Sequence, residues 1–152
     1  MAGMTNRGKA LVLDYYFRQQ GTLPSAFYLA LVTSAQVPGP DTNVLGDLTQ
    51  IAVGNGYADG GYSLAPNTTD FDVLTEDDPN DQAILMIKDI IFTASGGSIP
   101  ASGNGARYAV LTGPHATPGS RAVYFYWDLV SDRSVAVGVQ LQVKDLEADL
   151  TE

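Results

Sequence analysis

The chain reads as a mainly β protein: a single antiparallel β-sandwich or jelly-roll-like domain with one N-terminal helix. Three observations predict this. Apolar residues alternate along several short stretches, as pleated strands require. Sixteen glycines and eight prolines fall mainly between those stretches, where turns need them. Only one segment carries the helical period, and no strand–helix–strand rhythm follows it. The sequence divides into an N-terminal arm and helix, residues 1–20, and a β-sandwich body, residues 21–152.

The helix is expected over residues 6–20, NRGKALVLDYYFRQQ. Thr5 or Asn6 can cap it, Ala10, Leu13 and Phe17 recur at helical spacing, and Gly21 ends it with Pro24 just beyond. Gly8 weakens its first turn. Phe27, Leu29 and Leu31 then alternate with Tyr28, Ala30 and Val32, a strand apolar on both faces and hence central. Residues 83–93 are apolar and rich in isoleucine, which favours strand. Residues 106–112 and 121–129 flank the turn-rich GPHATPGS and predict a hairpin. The clearest alternation is 134–144, with Val135, Val137, Val139, Leu141 and Val143 on one side. Connections rich in turn formers are expected at 35–48, 54–62, 66–82 and 95–105, giving five to eight strands in all.

Of 152 residues, 45% are hydrophobic and only 16% charged, yet the net charge is −9. Such a chain buries a core and is no disordered tail. The charge is localised. Residues 1–18 carry a net +2, residues 19–87 contain no Lys or Arg and carry −9, and residues 88–152 carry −2. This balance argues against nucleic acid, whose binding rests on cations at phosphates. The absence of cysteine excludes disulfides, thiolate metal sites and a Cys nucleophile. No apolar run is long enough for a membrane span, and no secretory signal is expected from residues 1–5.

Few residues group as chemistry would require. His115, the one histidine, has no nucleophile elbow or carboxylate spaced to partner it. The acidic run 70–81 offers Asp70, Asp72, Asp77, Asp78 and Asp81 as oxygen ligands but lacks the glycine of a calcium loop. Asp70 and Asp72 would be the acid pair of a glycosidase, with nothing linking them to a cleft. Gly54, Asn55, Gly56, Tyr57, Gly60 and Gly61 do not have phosphate-loop spacing. They read as a structural turn, with Gly supplying positive φ and Tyr57 anchoring on the sheet. In Tyr124, Phe125, Tyr126 and Trp127, alternate side chains share a face. Either this strand is buried on both sides, or Tyr124, Tyr126 and Trp127 form a contact surface for a partner or a sugar.

Taken in order, the helix, FYLALVTS, IAVGNGYADGGYSL, IKDIIFTASGG, ARYAVLTG and YWDLVSDRSVAVGVQLQV resemble a family of small structural proteins of tailed bacteriophages and prophages. The likeness runs from about Asn6 to Val143 and is most specific at Gly54–Tyr57 with Gly60 and Gly61, and at Arg107–Leu111. The chain departs from it in an elongated acidic connection at 66–82, a second Gly-rich turn before Arg107, and an acidic tail after the last strand.

The resemblance implies a non-enzymatic virion protein, assembled in the bacterial cytoplasm and needing no cofactor. A capsid decoration or cement protein is expected, contacting the major capsid protein and other copies of itself. Arg7, Lys9 and Arg18, in the only net-basic segment, are its expected anchors. An accessory tail, baseplate or fibre component is the alternative. A carbohydrate-binding module using Tyr124, Tyr126 or Trp127 is the alternative from another class.

Overall fold

The computed structural model describes residues 2–151. Antiparallel strands dominate it, with one N-terminal helix. The strands are β1 (Ala2–Met4), β2 (Phe27–Val32), β3 (Tyr62–Leu64), β4 (Val73–Asp77), β5 (Gln82–Ile87), β6 (Ile90–Thr93), β7 (Ala106–Thr112), β8 (Val123–Arg133), β9 (Gln140–Val143) and β10 (Leu146–Thr151). They form a five-stranded sheet in the order β1-β8-β7-β2-β3, a three-stranded sheet β10-β5-β4, and the pair β6-β9.

One face of the five-stranded sheet shares a core with both smaller sheets. Leu29, Leu31 and Trp127 pack in one cluster with Ile87, Leu146, Ile90, Phe92, Leu141 and Val143. The opposite face buries Ala30, Val32, Tyr108, Val110 and Tyr126 under Leu45 and Leu48 of the long loop after β2. This is why β2 is apolar on both sides: each side has its own cover.

The helix α1 spans Asn6–Leu13 and runs into one π-helical turn, Asp14–Arg18. Thr5 caps it by accepting from the Gly8 N–H at 2.9 Å, which satisfies one of the free donors of the first turn. It ends earlier than Gly21, at Gln19, whose left-handed φ of 53° breaks the period. The expected apolar stripe is also displaced. Leu13 and Phe17 face outward, while Leu11 and Val12 pack on the core and Gly8 is the buried residue.

Gly8 is there because α1 touches β8. A methyl at Gly8 would stand 2.8 Å from both the Cα and the carbonyl oxygen of Tyr124. Residues 2–8 are therefore seated directly on the five-stranded sheet. β1 pairs with β8 through Ala2–Trp127, Gly3–Tyr126 and Met4–Phe125, and the Thr5 hydroxyl donates to the Val123 carbonyl.

Four expected segments are corrected. The run 83–93 splits at Lys88–Asp89 into β5 and β6, which belong to different sheets. The stretch 134–144 is a strand only from Gln140 to Val143. Gly138, at φ 80°, closes a turn in which Val139 N–H donates to Ala136 at 3.1 Å, and Val137 and Val139 end up exposed. A period-two pattern is blind to such a turn, because glycine fits either conformation. Finally, the acidic connection 66–82 contains β4 and its hairpin to β5, and the acidic tail is β10, which pairs with the other side of β5.

Candidate functional site

The Gly-rich turn is built around Tyr57. Gly54 and Tyr57 exchange backbone hydrogen bonds at 2.9 and 3.1 Å, which brings the ring in over Phe92 with centroids 5.5 Å apart. The Tyr57 hydroxyl accepts from Leu31 N–H at 3.0 Å and lies within donating reach of the Leu31 carbonyl and the Gln50 amide oxygen. Burial pushes this phenol well above the ordinary tyrosine range, so it acts as a neutral structural group.

Two glycines in the turn are fixed by close approach. A Cβ on Gly56 would lie 2.1 Å from the Thr93 carbonyl oxygen, and one on Gly61 would lie 1.9 Å from that of Leu29. Asn55, at φ 56°, donates its amide to the Ser98 carbonyl at 2.9 Å, while its own carbonyl accepts from Ser95 at 2.9 Å. The turn at 54–57 is thereby locked onto the TASGG turn at 93–97. Gly60 accepts from the buried Arg121 guanidinium at 3.2 Å, which also lies 3.5 Å over the Tyr28 ring.

Arg107 pairs with Asp128 across the β7–β8 hairpin through two bonds, at 2.9 and 3.1 Å. The guanidinium holds the Asp128 carboxyl below the usual carboxylate range, helped by the Val130 N–H. Two carboxylates of the acidic run, Asp70 and Asp77, are also engaged within the chain. Asp70 binds Lys88 and the Ala65 N–H and is held below its ordinary range chiefly by Lys88. Asp77 accepts from the side chains of Asn80 and Gln82, which lower its pKa. His115 is exposed and accepts from the Thr117 N–H at 3.0 Å. Among the described residues, no three His, Cys, Asp or Glu side chains stand together as a metal site would require.

The expected contact residues separate into two layers. Tyr124, Tyr126 and Trp127 are buried, each about 5% exposed, and Trp127 donates its indole N–H to the Glu147 carbonyl at 2.6 Å. They are interior residues, not an outward contact surface: neighbouring strands, β1 and α1 cover them. Burial raises the Tyr124 phenol far above its normal value. Arg7, Lys9 and Arg18 are exposed on the outer side of that cover, with Arg18 bonded to Asp14 at 3.1 Å.

What the sequence reading missed lies beside these cations. Tyr16 is 78% exposed, Phe17 80%, Leu23 67% and Leu13 55%. Leu13, Tyr16 and Phe17 follow at helical spacing across the end of α1 and the π-helical turn, and Leu23 lies in the loop beyond them. The pattern could not reveal it, since Leu13 and Phe17 satisfy the helical period whichever way they face. Compared with family models, curated proteins and solved structures, the chain finds no match.

Proposed function

We propose that the chain is a non-enzymatic structural subunit of a bacteriophage virion, a capsid decoration or cement protein bound to the outside of the head. The observation that carries this reading is the exposed apolar group Leu13, Tyr16 and Phe17 on the only net-basic segment, with Leu23 just beyond it. A cation-flanked apolar surface suits docking on a larger body. The motif residues that carry the phage resemblance interlock with one another, Asn55 with the TASGG turn and Arg107 with Asp128, so they support a scaffold and leave the surface free to vary. We further take the sheets as a sandwich of the jelly-roll kind, because the five-stranded sheet shares one core with the two smaller ones. The sugar-binding alternative loses its aromatic platform to burial.

Quantitative mass spectrometry of purified particles tests this. A decoration protein is present in copy numbers comparable to the major capsid protein, and its removal lowers the temperature at which heads rupture. A few copies per particle would favour the tail or baseplate reading. Absence from particles would overturn both.

A further inference from the structure

Three steps of the chain set an amide or carboxylate side chain directly before a glycine: Asn55–Gly56, Asp59–Gly60 and Asn104–Gly105. Such steps are prone to cyclise, because glycine has no Cβ to shield its own backbone nitrogen. The side-chain carbonyl carbon must swing onto that nitrogen. A fold that pins either group therefore blocks the reaction.

Two of the three are pinned. Gln50 clamps both reacting groups of Asp59–Gly60: its Nε2 donates to the Asp59 carboxylate and its Oε1 accepts from Gly60 N–H, each at 2.9 Å. Asn55 donates its side-chain amide to the Ser98 carbonyl at 2.9 Å, and its own carbonyl accepts from Ser95 N–H at 2.9 Å. Its side chain also lies tight against Gly97.

Asn104–Gly105 has no such restraint. Asn104 is exposed, and among the described residues neither its side chain nor the Gly105 N–H takes part in a hydrogen bond. Gly103 precedes it at φ 74°, with nothing within 4 Å of where a Cβ would stand. Gly105 itself rests on the Arg133 backbone, and Ala106 opens β7 opposite Arg133. The amide thus moves freely beside a nitrogen at the start of a strand.

We propose that Asn104 is a self-modification site, at which the folded chain deamidates while Asn55 and Asp59 are protected by their bonds. Hydroxide takes the Gly105 N–H proton and the nitrogen attacks Asn104 Cγ. The new N–Cγ bond forms, the Cγ–Nδ2 bond breaks, and ammonia leaves with a proton from water, which restores the hydroxide. Water then adds to one of the two carbonyls of the resulting succinimide. Ring opening gives aspartate, or isoaspartate where the main chain now runs through Cγ. Either product replaces a neutral amide by a carboxylate and takes the net charge from −9 to −10.

Incubating the full chain in mildly alkaline buffer tests this, with peptide mapping by mass spectrometry and an isoaspartate-specific methyltransferase as readouts. In the folded chain Asn104 should convert first. Reaction at Asn55 requires local opening of its turn, so it should lag by at least about tenfold, the factor that corresponds to about 1.4 kcal/mol. In urea the two Asn–Gly steps should convert at similar rates. Asn104→Ser should abolish the early acidic shift on isoelectric focusing and keep the wild-type unfolding midpoint. Conversion of Asn104 no faster than Asn55 in the folded chain would overturn the proposal. So would an equal gap in urea, since the fold would then not set it, or an acidic shift that persists in Asn104→Ser. The readouts involve no particle, so their failure is distinguishable from failure of the virion reading.

Discussion

The hydroxyl of Tyr57 stands where a strand is missing beside Leu31. β3 pairs with β2 only from Phe27 to Leu29, and beyond that point the Leu31 carbonyl accepts from Ile51 N–H at 3.1 Å. The Leu31 N–H, fully buried, finds its acceptor in the phenol at 3.0 Å. A side chain from the Gly-rich turn thus completes the hydrogen bonding of a central strand.

Tyr57→Phe keeps the ring packing and removes that acceptor. A buried donor left without a partner costs about 1–3 kcal/mol. Urea unfolding should show a loss in that range with an unchanged slope. A variant as stable as the wild type would mean that water or a shifted Gln50 takes over.

Glycines with the same backbone sign should respond very differently. Gly61 and Gly103 both have positive φ, at 85° and 74°. A methyl on Gly61 would sit 1.9 Å from Leu29 O, whereas one on Gly103 meets nothing within 4 Å. Gly103→Ala should cost only about 1–2 kcal/mol, the left-handed penalty. Gly61→Ala should cost more than about 4 kcal/mol, in the range reserved for severe lesions, and should abolish soluble expression or folding. Comparable unfolding midpoints for the two would refute the clash.

Replacing a helix glycine with alanine ordinarily gains about 1 kcal/mol. Gly8→Ala should reverse that sign, because the methyl meets Tyr124 backbone at 2.8 Å and lifts α1 off β8. Thermal denaturation should show a lower midpoint, with a red shift in Trp127 emission as β1 loosens from its partner strand. A stabilised variant would mean that α1 can shift without cost.

Arg107 holds Asp128 below its ordinary pKa, which fixes the sign of a pH effect. A carboxylate with a lowered folded pKa contributes stability above its unfolded value, about 3.9. That contribution disappears as pH falls through the lower folded value. Asp128→Asn should therefore unfold at a lower temperature than the wild type near neutrality. The gap should close as pH drops below about 4. A gap independent of pH would assign the pair's effect to geometry and not to charge.

Local backbone demands were legible in the sequence. Gly54, Gly56, Gly60 and Gly61 sit where positive φ is needed, and the β7–β8 hairpin follows from two alternating stretches around a Gly/Pro turn. So did the two-sided burial of β2, because polar residues are absent from both of its faces. The reading of 134–144 as one strand failed at Gly138, and β4 went unseen because its charged residues, Glu76 and Asp77, resemble a loop. In each failure the deciding interaction comes from elsewhere in the chain: Ala94 bonds the Gly138 turn, and β5 pairs with β4.

By itself, the sequence determined the β class, the single N-terminal helix and the concentration of positive charge near that helix. These follow from period, turn chemistry and residue count, which are properties of short stretches. Only the tertiary structure decided which apolar residues meet water. Tyr124 and Trp127 look like a contact surface until α1 packs against Tyr124 and β10 takes the Trp127 indole N–H, while Leu13 and Phe17 look like core until Leu11 and Val12 take the inward face. Burial is a relation between distant segments, set by which surfaces exclude water together, and no window of adjacent residues contains it.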